Sequence, residues 1–171
     1  GGENEAGLEN DPSTPVNISA LVGQLSHRFL EMWDFSSDTK TYLDKLSLFI
    51  ARAYRPKTGM TQTLLFQEME EVFGVFFSSP AYEELAQAKI LGREVPFMIP
   101  WEGQASTAQE QVMSGKIDLI YEYAGRLYIA DYKTDRIKKT ELPEAAKQYH
   151  QQCRIYPEAV RRALQREVAG T

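Results

Sequence analysis

The sequence predicts an α/β domain in which helices cover a central β-sheet. Apolar residues repeat at helical spacing through the first half of the chain, β-rich runs follow Ile90, and a helical pattern returns after Pro143. The 171 residues, 43% hydrophobic and 25% charged, suffice for one ordinary domain with its own core.

Residues 1–17 are predicted to be a disordered leader because they are acidic and poor in apolar residues. We expect a single domain over 18–171, with helices at 18–88 and the sheet and a last helix at 89–171. The four N-terminal helices are predicted from apolar stripes bounded by capping and breaking residues. Their expected limits are Ala20–Trp33 after an N-cap at Ser19, a second helix after Asp38, Thr61–Phe77, and Pro80–Ala88 after Ser79.

Strands are predicted over 94–99, 116–123 and 126–133. A two-residue turn at Ala124 and Gly125 pairs Tyr123 with Arg126, and counting back from that pair places Asp118 opposite Asp131. After a basic loop at 134–140, a helix is expected from Pro143 to Tyr156. Pro157 is expected to end or kink it before a last helical stretch to about Val168.

Composition excludes several kinds of site. The single Cys153 excludes a disulfide scaffold and an iron–sulfur cluster held by this chain alone, and two histidines exclude a three-histidine metal site. One cysteine also favours a reducing, cytoplasmic location. No apolar run approaches a membrane span, so no membrane partner is expected, and no phosphate-binding loop for a nucleotide is present.

Charge is distributed unevenly. Residues 1–132 carry 10 basic and 19 acidic residues, whereas residues 133–171 carry 9 and 5. An acidic centre facing a basic wall suits a metal-dependent site for a polyanion, and ordinary surface variation is the alternative.

The hairpin concentrates the chemistry. Alternation places Asp118, Asp131 and Lys133 on the face that also carries Ile120 and Ile129, and opposed residues hold their Cβ atoms about 5 Å apart. Two carboxylates at that separation on an apolar face need a cation between them, and a divalent ion is the natural one. The alternative is a solvated hairpin in which Lys133 or Lys116 neutralises the aspartates.

The segment G-x-I-D-L-I, with D-Y-K-T-D beginning thirteen residues after its aspartate, resembles the motifs of the PD-(D/E)XK nuclease superfamily. It is similar in particular to the RecB/AddA-type nuclease domains attached to recombination helicases. Three further segments agree in order, namely 25–31, 93–97 and 152–156. The resemblance implies a restriction-endonuclease-like mixed sheet with an antiparallel catalytic hairpin.

The resemblance also implies roles for individual residues. Asp118, Asp131, His27 and the backbone carbonyl of Tyr132 would bind Mg²⁺ or Mn²⁺. Asp118 and Asp131 match the acidic positions of the catalytic motif, Lys133 matches its lysine, and Glu94 would lie near the site. Without the resemblance, His27 would be the partner of Glu31 in a surface pair on one helix.

A group of residues is expected to line the path of the DNA strand, some from the resemblance to a Q-h-x-x-Y helix motif and others because they are basic. They are Gln152, Tyr156, Tyr149, Arg136, Lys138, Lys139 and Arg154.

The function implied is a metal-dependent deoxyribonuclease domain, with exonuclease favoured over endonuclease activity, in a larger helicase-nuclease of DNA recombination or repair. Its expected partners are DNA and a helicase domain or subunit. The alternative is a catalytically silent nuclease fold that docks DNA or the helicase. Because the family continues into further strand, we also expect the sheet to be truncated at Thr171.

Overall fold

The computed structural model describes residues 17–54, 59–101, 111–133 and 142–171. Residues 1–16 of the predicted leader and the basic loop lie outside them. The described part contains five α-helices, a short 3-10 helix and four strands. In chain order they are α1 (Ile18–Met32), the 3-10 turn (Thr39–Thr41), α2 (Tyr42–Ala53), α3 (Gly59–Phe77), α4 (Pro80–Gln87), β1 (Lys89–Trp101), β2 (Gln111–Tyr123), β3 (Arg126–Ala130), α5 (Leu142–Leu164) and β4 (Val168–Gly170).

The helix starts follow side-chain capping. At α4 the prediction is confirmed, because the Ser79 side chain accepts a hydrogen bond from the amide of Tyr82 and Pro80 takes the first helical position. At α1 the predicted cap at Ser19 is wrong. Asn17 is the cap instead, because its side chain accepts from the amide of Ala20. Asp38 caps the 3-10 turn that leads into α2.

The strands form one sheet in the order β1-β2-β3-β4, antiparallel except for the β3–β4 pair. The predicted register of the β2–β3 hairpin is confirmed from Tyr123↔Arg126 to Leu119↔Ala130. The turn residues Ala124 and Gly125 have φ of 48° and 74°, as a type I′ turn requires. β3 ends at Ala130, three residues short of its predicted end.

Helices cover both faces of the sheet, which confirms the predicted α/β class. Leu119 and Tyr121 pack into the large core formed with α1 to α4. On the opposite face, Ile120 and Ile129 pack against Val160 of α5.

The side-chain pattern of β1 and β2 reverses at one level of the ladder. Arg93 reaches α1 and Leu119 packs with the N-terminal helices, but Val95 and Ile117 pack on the α5 side. Side chains two residues apart point to the same face of a regular strand. Because the Arg93–Leu119 pair and the Val95–Ile117 pair face opposite sides of the sheet, the alternation of side chains is interrupted between them, at Glu94 and Asp118. The regular alternation assumed in the prediction therefore ends at Leu119.

The C-terminal region differs from its prediction. α5 continues through Pro157 instead of ending there, and Val168 begins β4 instead of ending a helix. An interior proline removes one helical hydrogen bond and costs about 3 kcal/mol. Burial of Ile155, Ala159 and Val160 on both sides of Pro157 holds the helix together across it. Across the described ranges, no helix combines the length and the apolar character needed to cross a bilayer.

Candidate metal centre

Three side chains from three different elements converge beside the reversal in the sheet. His27 comes from α1, Glu94 from β1 and Asp118 from β2. One potential ligand atom of each lies within 4.8 Å of the other two. An imidazole nitrogen and carboxylate oxygens at this separation are a donor set that divalent ions bind.

The two nitrogens of His27 have different partners. Nε2 lies 2.9 Å from the carbonyl oxygen of Tyr132, whereas Nδ1 lies 3.5 Å from Asp118 Oδ1 and 3.8 Å from Glu94 Oε1. A proton on Nε2 satisfies the carbonyl, so the Nδ1 lone pair is presented to the carboxylates. The Asp118 carboxylate raises the pKa of His27, the effect of burial opposing it. Without a metal, a proton on Nδ1 is therefore favoured.

Asp118 is held from two sides. Only 8% of the residue is exposed, and its Oδ2 accepts a hydrogen bond of 2.6 Å from the backbone amide of Tyr132. The amide and carbonyl of Tyr132 thus fix Asp118 and His27 respectively. The segment after β3 orients the cluster through its backbone.

Glu94 has an unusual backbone and a divided carboxylate. Its φ of 48° lies in the left-handed region, which is uncommon for residues other than glycine. Oε2 lies 3.0 Å from Lys116 Nζ. Oε1 is buried and has no hydrogen-bond partner among the described residues. A buried carboxylate oxygen that lacks a hydrogen-bond donor is suited to bind a cation.

Asp131 and Lys133 follow β3 and pair with each other, with Asp131 Oδ2 within 2.5 Å of Lys133 Nζ. Asp131 does not belong to the three-residue cluster. The described hydrogen-bonded ladder ends one pair before Asp118 and Asp131. The lysine therefore neutralises Asp131 here, while His27 lies against Asp118.

Two of the residues predicted along the DNA path lie beside this site. Gln152 donates a hydrogen bond of 3.2 Å to the Tyr156 hydroxyl, and the Tyr156 ring packs on Phe97. Burial and the nearby Asp131 carboxylate raise the pKa of Tyr156. Arg154 is exposed on the same helix. Arg136, Lys138 and Lys139 lie outside the described residues, as does the side chain of Tyr149.

Sequence reasoning missed two contributors to the cluster. The sequence indicates Lys116 only as a partner of the aspartates, but its nearest carboxylate is that of Glu94, which raises the pKa of Lys116. Arg93 ties β1 to α1, because its Nη1 donates to the carbonyl of Leu30 at 2.7 Å and its guanidinium lies over the Phe35 ring. The contact between Lys116 and Glu94 could have been predicted only from the register of β1 against β2. The sequence does not predict that register, because the connection of residues 102–110 is too long to define it.

The chain matches a family model over nearly its whole length and several curated relatives over part of it. A family model described as PD-(D/E)XK nuclease superfamily matches residues 3–171. Three curated relatives are each named as one subunit of an ATP-dependent helicase/nuclease. The one from Anoxybacillus flavithermus is 35% identical over 98 residues, the one from Bacillus velezensis 33% over 125, and the one from Staphylococcus epidermidis 28% over 165. These alignments cover 56%, 63% and 87% of this chain, but only 8%, 10% and 13% of the relatives.

Proposed function

Because this chain belongs to the PD-(D/E)XK nuclease superfamily, we propose that it is a deoxyribonuclease domain that hydrolyses phosphodiester bonds with Mg²⁺ or Mn²⁺. The observation that carries the proposal is the convergence of His27, Glu94 and Asp118 within 4.8 Å. The buried Oε1 of Glu94, unpartnered among the described residues, supports the fit of a cation to this donor set.

The proposed metal ligands are His27 through Nδ1 and the carboxylates of Asp118 and Asp131. The Tyr132 carbonyl would become a further ligand once it is released from its contact with His27. Glu94 would bind the ion or one of its waters. A bound Mg²⁺ or Mn²⁺ would polarise the phosphoryl oxygen and lower the pKa of an attacking water.

Lys133 is proposed to assist the attacking water and the phosphoryl group and not to bind the metal. Its side chain is half exposed, and its ammonium group lies at Asp131. A protonated lysine is no metal ligand, but it can orient the attacking water and stabilise negative charge that develops on the phosphoryl group. Its pairing with Asp131 holds it at the edge of the site.

The DNA strand is proposed to pass between this site and α5. Tyr156 and Gln152 would contact it beside Asp131 and Lys133, and the exposed Arg154 lies between Gln152 and Tyr156 along the helix. The basic residues at 136, 138 and 139, together with Tyr149, belong to the same proposal on sequence grounds.

We further propose that residues 18–171 act as the nuclease domain of a larger helicase-nuclease in DNA recombination or repair. The relatives are named helicase/nuclease subunits, and the chain matches 8–13% of their length. A helicase domain or subunit is therefore the expected partner, and the cytoplasm the expected location.

Cleavage of a labelled oligonucleotide under single-turnover conditions tests the proposal. Wild type should cut only with Mg²⁺ or Mn²⁺, and D118N should not cut. K133A should bind Mn²⁺ in calorimetry but cut at least about a hundredfold more slowly. Linear DNA should be degraded in preference to closed circles if the activity is exonucleolytic. Mn²⁺ binding by a wild-type chain that cuts no form of DNA would contradict the catalytic proposal and favour a docking role.

A further inference from the structure

The two carboxylate oxygens of Glu94 lie in different surroundings. Oε1 is buried, 3.8 Å from His27 Nδ1, and points into the metal cluster. Oε2 is held 3.0 Å from Lys116 Nζ. Only one oxygen of this carboxylate is therefore available to the cluster.

The contact between Glu94 and Lys116 follows from the ladder. Lys116 pairs with Pro96, so Glu94 is its diagonal neighbour across the β1–β2 pair. The left-handed backbone of Glu94 and the change of face at this level direct its carboxylate towards α1. The Lys116 side chain is 58% exposed and that of Glu94 17%, so the lysine covers the outer oxygen from the solvent side.

We propose that Lys116 determines metal selectivity by occupying Oε2, so that Glu94 binds the cation through Oε1 alone. This inference rests on the proposed metal-dependent function. Lys116 is a positioning residue, because it acts through Glu94 and does not touch the ion.

Carboxylate denticity separates Mg²⁺ from Ca²⁺. Mg²⁺ demands an octahedral shell with short metal–oxygen distances, whereas Ca²⁺ takes six to eight oxygens and accepts bidentate carboxylates. A Glu94 restricted to one oxygen suits the smaller ion. Freeing Oε2 would add a ligand that Ca²⁺ can use and Mg²⁺ cannot.

The test is calorimetric binding of Mg²⁺ and of Ca²⁺ to the 171-residue chain, expressed as the ratio of the two dissociation constants. K116M should shift that ratio towards Ca²⁺ by about tenfold, and K116L, which also lacks a donor for Oε2, should do the same. K116R, which keeps a donor for Oε2, should retain the wild-type ratio. K89M is the matched control, because it removes an exposed positive charge from the β1–β2 pair but not from a proposed metal ligand. It should alter both affinities alike.

A double variant shows whether Lys116 acts through Glu94. In an E94A background, K116M should leave the ratio unchanged. A ratio within twofold of wild type in both K116M and K116L would overturn the inference while leaving metal binding intact. A wild-type chain that binds neither ion would overturn the proposed function as well, so the two failures are distinguishable.

Discussion

Replacement of Asp118 by Asn should lower the stability of the metal-free protein and remove its response to metal. The carboxylate accepts a 2.6 Å hydrogen bond from the Tyr132 amide and lies 3.5 Å from His27 Nδ1. A hydrogen bond to a charged group contributes about 1 kcal/mol more to the free energy of unfolding than a hydrogen bond between neutral groups. For a chain of this length, that difference lowers Tm by about 2–4 °C.

The metal response should be larger than that loss. A ligand at one hundred times its dissociation constant stabilises the folded state by about 2.7 kcal/mol, which corresponds to a rise in Tm of about 5–10 °C. Wild type should show this rise with Mn²⁺, and D118N should show none, because it loses a negatively charged ligand of the cluster.

Thermal unfolding with and without Mn²⁺, followed by circular dichroism, is the assay. D44N is the matched control, because Asp44 is exposed in the first turn of α2 and outside the metal cluster. It should keep the full response. An equal rise in Tm for D118N and wild type would refute the assignment of Asp118 as a ligand.

Three further predictions concern neighbouring residues. The pKa of His27 is raised in the folded state, so its contribution to metal-free stability is present below pH 6.5 and is lost as the pH rises through the raised pKa. The stability difference between wild type and H27Q in urea unfolding should therefore shrink from about pH 6 to about pH 9, and a constant difference would contradict it. The rise in Tm that Mn²⁺ causes in wild type should become larger over the same pH range, because the ion displaces a proton from His27 Nδ1. A rise in Tm that does not change with pH would argue against His27 as a ligand. Y132F should raise the midpoint of urea unfolding by an amount equivalent to about 1 kcal/mol, because the buried Tyr132 hydroxyl has no hydrogen-bond partner among the described residues. An unchanged or lower midpoint would show that the hydroxyl has a hydrogen-bond partner.

Local interactions account for the features that the sequence could predict. The two-residue turn at Ala124 and Gly125 brings adjacent residues into hydrogen bonding, so the hairpin register followed by counting. The Ser79 cap and Pro80 likewise define the start of α4 within one turn. Resemblance then indicated His27 and Glu94, because their motifs lie in the expected order along the chain.

The sequence alone therefore determined the α/β class, the β2–β3 register and the positions of the acidic and basic residues of the motifs. Only the tertiary structure decided which of them meet. His27 and Tyr132 are 105 residues apart and are joined by a single hydrogen bond that no local pattern encodes. The change of face at Glu94 depends on the pairing of β1 with β2, and the nine residues between those strands set no register. Packing of distant elements, and not hydrogen bonding within one turn or hairpin, thus places Lys116 on Glu94 and His27 against Asp118.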